Sequence, residues 1–180
     1  LVRDLLGTTA TDPDPGTKMG LALTAANVTN GVWEYSEDDG DSWLPVGAVS
    51  SAAALLLRDL DRLRFIPKAD FNGEATIDYR AWDQMFGEAG SKTSLSESGS
   101  ANSFSIASDT ARITVTPVND APVLDPQGQP KLRPIPSNPT SNPPQLVADI
   151  LGNLVTDVDE GALQGIAIIG VTGNGTWWFH

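Results

Sequence analysis

Two stretches of this 180-residue chain are copies of one pattern. LVRDLLGTTATDPDPGTKMGLA, Leu1 to Ala22, lies without a gap on LVADILGNLVTDVDEGALQGIA, Leu146 to Ala167, at an offset of 146 − 1 = 145. Leu, Val, Asp, Leu, Gly, Thr, Asp, Asp, Gly, Gly and Ala recur at matching places. A one-residue gap then sets Asn30-Gly31 on Asn174-Gly175, Trp33 on Trp177 and Tyr35 on Phe179. A tandem repeat of this length means one folded unit used twice, so whatever the first copy builds, the second is written to build again. The register implies that the chain opens inside one repeat and ends inside the next. Residues 121–145 correspond to a segment expected before Leu1, and His180 stands opposite Ser36.

Within the first copy the runs are short and β-prone. Met19 to Val28 and Val32 to Ser36 flank the turn signal Thr29-Asn30-Gly31. Leu63 to Ile66 reads as a strand. Ala75 to Trp82 alternates, with Ile77, Tyr79 and Ala81 on one face and Thr76, Asp78 and Arg80 on the other. Ala111 to Val118 alternates too, which predicts Ile113 and Val115 facing inward. Ser51 to Leu57, rich in Ala and Leu, reads as a short helical turn or a bridging segment. The polar stretch Ser91 to Ser103 reads as a mobile loop, and Asp125 to Gln145, rich in proline, as extended chain. Leu146 reopens the repeat, and Gln164 to Val171 is expected to be its next strand. Short strands in succession, without the spacing of βαβ units, predict an all-β fold: an antiparallel sandwich.

Composition narrows the function. The net charge is −12, which disfavours nucleic acid as a partner, since phosphate contacts need clustered Lys and Arg. Acidic balance suits an extracellular protein, a cation binder or both, and solubility alone also accounts for it. There is no cysteine, hence no disulfide framework and no thiol nucleophile, and the single histidine is His180. A Ser-His-Asp triad or a histidine metal site is therefore not expected. No apolar run is long enough to span a membrane.

YSEDDGDSW, Tyr35 to Trp43, fits the Asp-box pattern of sialidases through Ser36, Asp38, Gly40, Ser42 and Trp43. A propeller needs such hairpins blade after blade, whereas the next copy here could only come about 145 residues later. The box is read as a hairpin clasp: Asp38 accepts backbone N–H groups, Gly40 takes a positive φ and Trp43 packs beneath.

FIPKADFNGEATIDYRAWD followed by ARITVTPVNDAPV resembles the cadherin-like tandem repeats of very large bacterial surface and secreted proteins. The shared features are Phe71-Asn72-Gly73, Tyr79, Ala81-Trp82-Asp83, Ile113 with Val115, and the linker Asn119-Asp120-Ala121-Pro122. The Asp-x-Asp-x-Gly loop occurs twice, as Asp12-Asp14-Gly16 and Asp157-Asp159-Gly161. The resemblance implies seven-stranded Greek-key sandwiches, immunoglobulin-like, stacked end to end. It also implies Ca²⁺ at their junctions, held by the Asp-x-Asp loop, the Ala-x-Asp strand end and the Asn-Asp linker. Candidate metal ligands are thus Asp12, Asp14 and Asp83 at one pole, and Asn119, Asp120, Asp157 and Asp159 at the next. Ca²⁺ takes six to eight hard oxygens, which closely spaced carboxylates and backbone carbonyls supply. The sequence departs from the animal pattern. Its linker lacks the extra acidic residue, no Glu ligand stands at the far pole, and a loop is inserted between the last two strands.

The expected organisation is a cadherin-like sandwich repeat lacking its first strand over 1–120, a Pro-rich linker and start of the next repeat over 121–145, and the opening of a second repeat over 146–180. The expected function is non-catalytic: adhesion or rod-like extension at a bacterial cell surface or in secretion, with Ca²⁺ stiffening the junctions. Partners would be neighbouring repeats of the same chain and a cell-surface protein or polysaccharide. An alternative is a carbohydrate-binding module, with Trp33, Trp43, Trp82, Trp177 or Trp178 as the sugar platform; a third is a sialidase-like hydrolase. One of the adjacent Trp177 and Trp178 is expected to be exposed. The first repeat's uncovered edge invites a strand-exchanged oligomer.

Overall fold

The computed structural model describes residues 1–8, 10–13, 16–96, 103–137 and 142–179. The chain forms two compact units, Leu1–Pro117 and Val118–His180. Among the described residues, the first contains a one-turn helix α1 (Val2–Leu6) and eight strands: β1 (Gly20–Ala26), β2 (Gly31–Ser36), β3 (Leu44–Pro45), β4 (Ala54–Leu57), β5 (Arg62–Pro67), β6 (Gly73–Trp82), β7 (Lys92–Thr93) and β8 (Asp109–Val115). The second contains β9 (Val123–Leu124), helix α2 (Val147–Leu151) and β10 (Val155–Thr156).

The first unit is an antiparallel sandwich. One sheet runs in the order β7-β4-β1-β6-β8, the other β3-β2-β5. Alternation places the core. Leu21 and Leu23 of β1, Leu55 and Leu57 of β4, and Ala75, Ile77 and Tyr79 of β6 meet Trp33 and Tyr35 of β2 between the sheets. Leu63 and Phe65 of β5 pack against them, with the Phe65 ring tilted 5.1 Å from that of Trp33. Helix α1 closes one end by burying Val2 and Leu6 in the same core. Its first free N–H groups, on Val2 and Arg3, bond the carbonyls of Asp61 and Asp59 in the β4–β5 turn.

The segment Ser51 to Leu57 is not a helical turn. Residues 54–57 form a strand buried at every position. Ala and Leu favour helix locally, but β4 lies inside the sheet and needs apolar side chains on both faces. Leu55 and Leu57 serve the inner core, and Ala54 and Leu56 a second cluster on the outer face.

That outer cluster also corrects the loop expected over Ser91 to Ser103. Lys92 and Thr93 are an edge strand paired to β4, and Leu95 N–H bonds the Ser51 carbonyl. Phe86, Ala89, Leu95 and Phe104 cover Ala22, Ala54, Leu56 and Trp82, so the inserted segment roofs one face of the sheet. The expectation over 97–102 lies outside the described residues. Gly20 shows how tight this layer is: a Cβ there would strike the Leu57 carbonyl and the Trp82 ring.

Ile113 is 41 % exposed although its register places it opposite buried Ala75. Strand β8 is the sheet edge, and a side chain there is covered from one side only.

In the second unit β9 pairs antiparallel with β10, Val155 opposite Leu124 and Thr156 opposite Val123. Helix α2 matches α1 at the offset of 145 in both bounds. The strand expected over Gln164 to Val171 does not form; these residues carry neither helix nor strand. Among the described residues no helix is long and apolar enough to cross a membrane.

Candidate functional site

In the first unit Asp12 follows α1 and Asp83 directly follows β6, and both line one hollow of about 250 Å³. Thr11, Met19, Phe104 and Ser105 contribute to its walls. The Asp83 carboxylate accepts the Met85 N–H at 2.8 Å, and the Asp83 N–H bonds the Ser103 carbonyl. Asp83 therefore shapes its own turn while facing the same space as Asp12. Asp14 lies outside the described residues.

In the second unit the Asp-x-Asp loop closes on the linker. Asp159 Oδ2 accepts the backbone N–H of Asp120 at 2.8 Å, and Asp157 Oδ1 accepts the N–H of Asp159 at 2.9 Å. Asn119 donates its amide to the Asp120 carbonyl at 2.7 Å. The loop and the Asn-Asp linker, 39 residues apart in sequence, are thus in direct contact.

The donor chemistry suits Ca²⁺: carboxylates, an amide oxygen and backbone carbonyls are hard oxygens. The count is low. Among the described residues no group of three or more His, Cys, Asp and Glu side chains is arranged to hold a metal ion. Asp157 and Asp159 can fit a sparse site completed by carbonyls and water, not a closed carboxylate cage. Affinity for Ca²⁺ tracks ligand charge and site rigidity, and two carboxylates are few.

The Asp-box hairpin is built as the sequence indicates. Asp38 Oδ1 accepts the Ser42 N–H at 2.9 Å and the Ser36 hydroxyl at 2.7 Å. Ser36 Oγ in turn accepts the Gly40 N–H at 2.8 Å, and Gly40 takes φ 100°. Hydrogen bonds from Ser42 and Ser36 hold the Asp38 carboxyl down at about 2. Trp43 donates its indole N–H to the Gly40 carbonyl, and the Arg64 guanidinium lies 3.9 Å over its ring. The nearby arginines are committed. Arg64 pairs with Glu34, Arg62 with Asp39, and Arg58 with Asp61 and Glu37.

Two features escaped the sequence reading. Asp61 is buried and accepts both the Arg58 backbone N–H, at 2.7 Å, and its guanidinium. The only sign was an acidic residue in the short turn Asp59-Leu60-Asp61 between two apolar runs. The other is a second hollow, about 260 Å³, between Leu6, Ala10, Tyr79, Ala81 and Asp109. Burial and then the Asp109 carboxylate push the Tyr79 phenol up from its usual range. Among the tryptophans, Trp33 and Trp82 are core, while Trp177 and Trp178 are both exposed.

Comparison with known proteins finds no matching family model, no matching curated protein and no matching solved structure.

Proposed function

We propose that this chain is a non-catalytic repeat module of a cadherin-like kind, serving adhesion or extension at a cell surface or in a secreted protein. The observation that supports this reading most is the Asp159–Asp120 contact: an Asp-x-Asp loop seated on the Asn-Asp linker that introduces its own repeat. Asp157, Asp159 and the Asn119 amide oxygen would hold Ca²⁺ weakly there, and beside the first copy Asp12, the counterpart of Asp157, shares a hollow with Asp83. Ca²⁺ supplies positive charge where carboxylates on a chain of net charge −12 repel one another. The loop and linker supply the rest: Asp159 ties the linker backbone, and Asp157 orders the loop that presents Asp159. The role of such a junction is to stiffen a string of repeats.

Thermal melting of the whole chain in Ca²⁺ and in EDTA tests it. A higher Tm in millimolar Ca²⁺, removed by EDTA, is expected; coincident melting curves would overturn the Ca²⁺ part of the reading.

A second reading, a carbohydrate-binding module, draws support from Trp177 and Trp178, adjacent and both exposed. Tryptophan fluorescence titrated with polysaccharides separates the two readings, because only a sugar platform responds. The Asp-box is assigned to hairpin structure, since Asp38 spends its oxygens on Ser36 and Ser42.

A further inference from the structure

The turn between β1 and β2 reads Asn27-Val28-Thr29. Asn-x-Thr, with any residue but proline in the middle, is the acceptor triplet for N-linked sugar: the amide takes the sugar, and the transferase reads the hydroxyl two residues on. The triplet occurs once more, as Asn174-Gly175-Thr176, whereas Asn138-Pro139-Thr140 carries a proline in the middle. Three residues recur by chance, so the surroundings of Asn27 decide its meaning. Its backbone is fixed on both sides. The Asn27 N–H bonds the Thr76 carbonyl of β6 at 2.9 Å, and the Asn27 carbonyl accepts the Trp33 indole N–H at 3.1 Å. The Thr29 N–H bonds Asn27 Oδ1 at 3.0 Å, closing an Asx turn. That bond decides how the amide faces: the oxygen lies on the turn and Nδ2 points away from it. Lys68, just past β5, grips the same turn, through Nζ to the Thr29 carbonyl at 2.6 Å and through its N–H to the Asn30 carbonyl at 2.9 Å.

With the backbone held, the two groups the reaction needs are spare. Neither Asn27 Nδ2 nor the Thr29 hydroxyl makes a hydrogen bond among the described residues. Residues 27–30 are all exposed, and Val28 at the apex is 56 % exposed. A sugar on Nδ2 stands in solvent, displaces no packed group and covers Val28. Asn174, by contrast, lies among residues that carry neither helix nor strand, so no folded element presents it. We propose that Asn27 is an N-glycosylation site presented by the folded first unit, and that it takes a sugar activated as a lipid-linked pyrophosphate. In the transfer Asn27 Nδ2 bonds the anomeric carbon of the sugar, and the bond from that carbon to the phosphate oxygen breaks. The lipid pyrophosphate leaves with the electron pair, and the amide proton passes to a carboxylate of the transferase. Nothing is oxidised or reduced. The chain's part is presentation: a rigid turn that keeps the acceptor amide and the hydroxyl outside the core. This inference rests on the turn and stands apart from the Ca²⁺ reading.

The test is made on the folded whole chain, incubated with a single-subunit oligosaccharyltransferase that needs only Asn-x-Ser/Thr and with a lipid-pyrophosphate-linked oligosaccharide. Proteolytic peptides are then read by mass spectrometry, and circular dichroism before and after shows whether the fold is kept. A synthetic peptide of residues 22–34 serves as the fully accessible reference. One oligosaccharide is expected on the peptide that holds Asn27, at a rate comparable with the reference and with an unchanged circular dichroism spectrum. The modification should persist in Thr29→Ser, which keeps the hydroxyl, and in Asn174→Gln, and should be lost in Thr29→Val, which keeps the shape of the side chain without the hydroxyl. Thr29 is exposed, so these variants leave the core untouched. An Asn27 left bare in the folded chain overturns the proposal, whether or not the reference peptide is modified. So does modification that survives undiminished in Thr29→Val, or sugar found only on chain that has lost its folded spectrum.

Discussion

Residues 1–26 and 146–171 carry the same pattern, and the structure uses them differently. Both begin with a one-turn helix of identical offset, and both helices end on a glycine with φ near 50°: Gly7 at 53° and Gly152 at 51°. The glycine N–H bonds the fourth residue back in each, Arg3 in one and Ala148 in the other. Gly16 and Gly161 follow with φ 84° and 77°. Beyond that the likeness stops. Leu21 and Leu23 are buried in the strand β1, while their counterparts Ile166 and Ile168 are 44 % and 66 % exposed in no strand at all. The glycine stops, Gly7 on Arg3 and Gly152 on Ala148, and the turn of Asp159 on Asp157 are closed by hydrogen bonds two to four residues apart, so local sequence suffices for them. A strand needs neighbours. Strand β1 has β4 and β6 on its two sides, and among the described residues nothing pairs with 165–171.

A matched pair of truncations, one in each copy, carries the largest expected difference. Leu21→Ala should destabilise the first unit by about 2–5 kcal/mol through lost burial and a cavity. Ile166→Ala, its counterpart, should stay within about 0.5 kcal/mol in the same chain. Chemical denaturation followed by far-UV circular dichroism reads both, and equal effects would dissolve the distinction.

A smaller effect concerns the seat of α1. Asp61→Ala leaves the Arg58 N–H without its carboxylate and loosens the turn whose carbonyls receive the Val2 and Arg3 N–H groups. About 2 kcal/mol is expected, the Arg58 charge itself being well solvated. Hydrogen exchange should then rise at Val2 and Arg3 and stay unchanged at Val147 and Ala148.

Smaller again is the pair Gly7→Ala and Gly152→Ala. Each puts a side chain at a positive φ with open space around it, so backbone strain of about 1 kcal/mol is the whole cost. Similar local fraying of α1 and α2 by amide exchange supports a locally encoded helix; fraying of one alone contradicts it.

Least costly is acid. The Asp38 carboxyl is depressed to about 2, so its contribution is present above the ordinary carboxylate range and is lost as pH falls toward 2. The hairpin amides of Gly40 and Ser42 should hold their chemical shifts at pH 4 and move together as pH approaches 2. Movement already complete by pH 4 would show that the clasp does not hold the charge.

The sequence made the local features plain. The alternation of Ile77, Tyr79 and Ala81 matched β6, and Ser36, Asp38, Gly40 and Ser42 matched the hairpin, because each is decided by period or by contacts within a few residues. Residues 54–57 misled because helix propensity is a property of the residue, whereas burial on both faces is a property of the finished sheet. The roof of Phe86, Leu95 and Phe104 was hidden for the same reason: a mostly polar segment with a few well-spaced apolar residues looks like loop until the sheet beneath it exists. Ile113 had the right parity and the wrong position, at an edge. Among the acidic residues, Asp120 meets Asp159, and Asp12 and Asp83 line one hollow, while buried Asp61 had no motif to announce it.

The most direct measurement is a Ca²⁺ titration of the whole chain followed at the amides of Asp120 and Asp159, repeated in Asp159→Asn. Both amides should shift with a midpoint of roughly 10⁻⁴–10⁻³ M, and the shifts should be lost in the variant. Amides that do not move, or that move equally in Asp159→Asn, would contradict it.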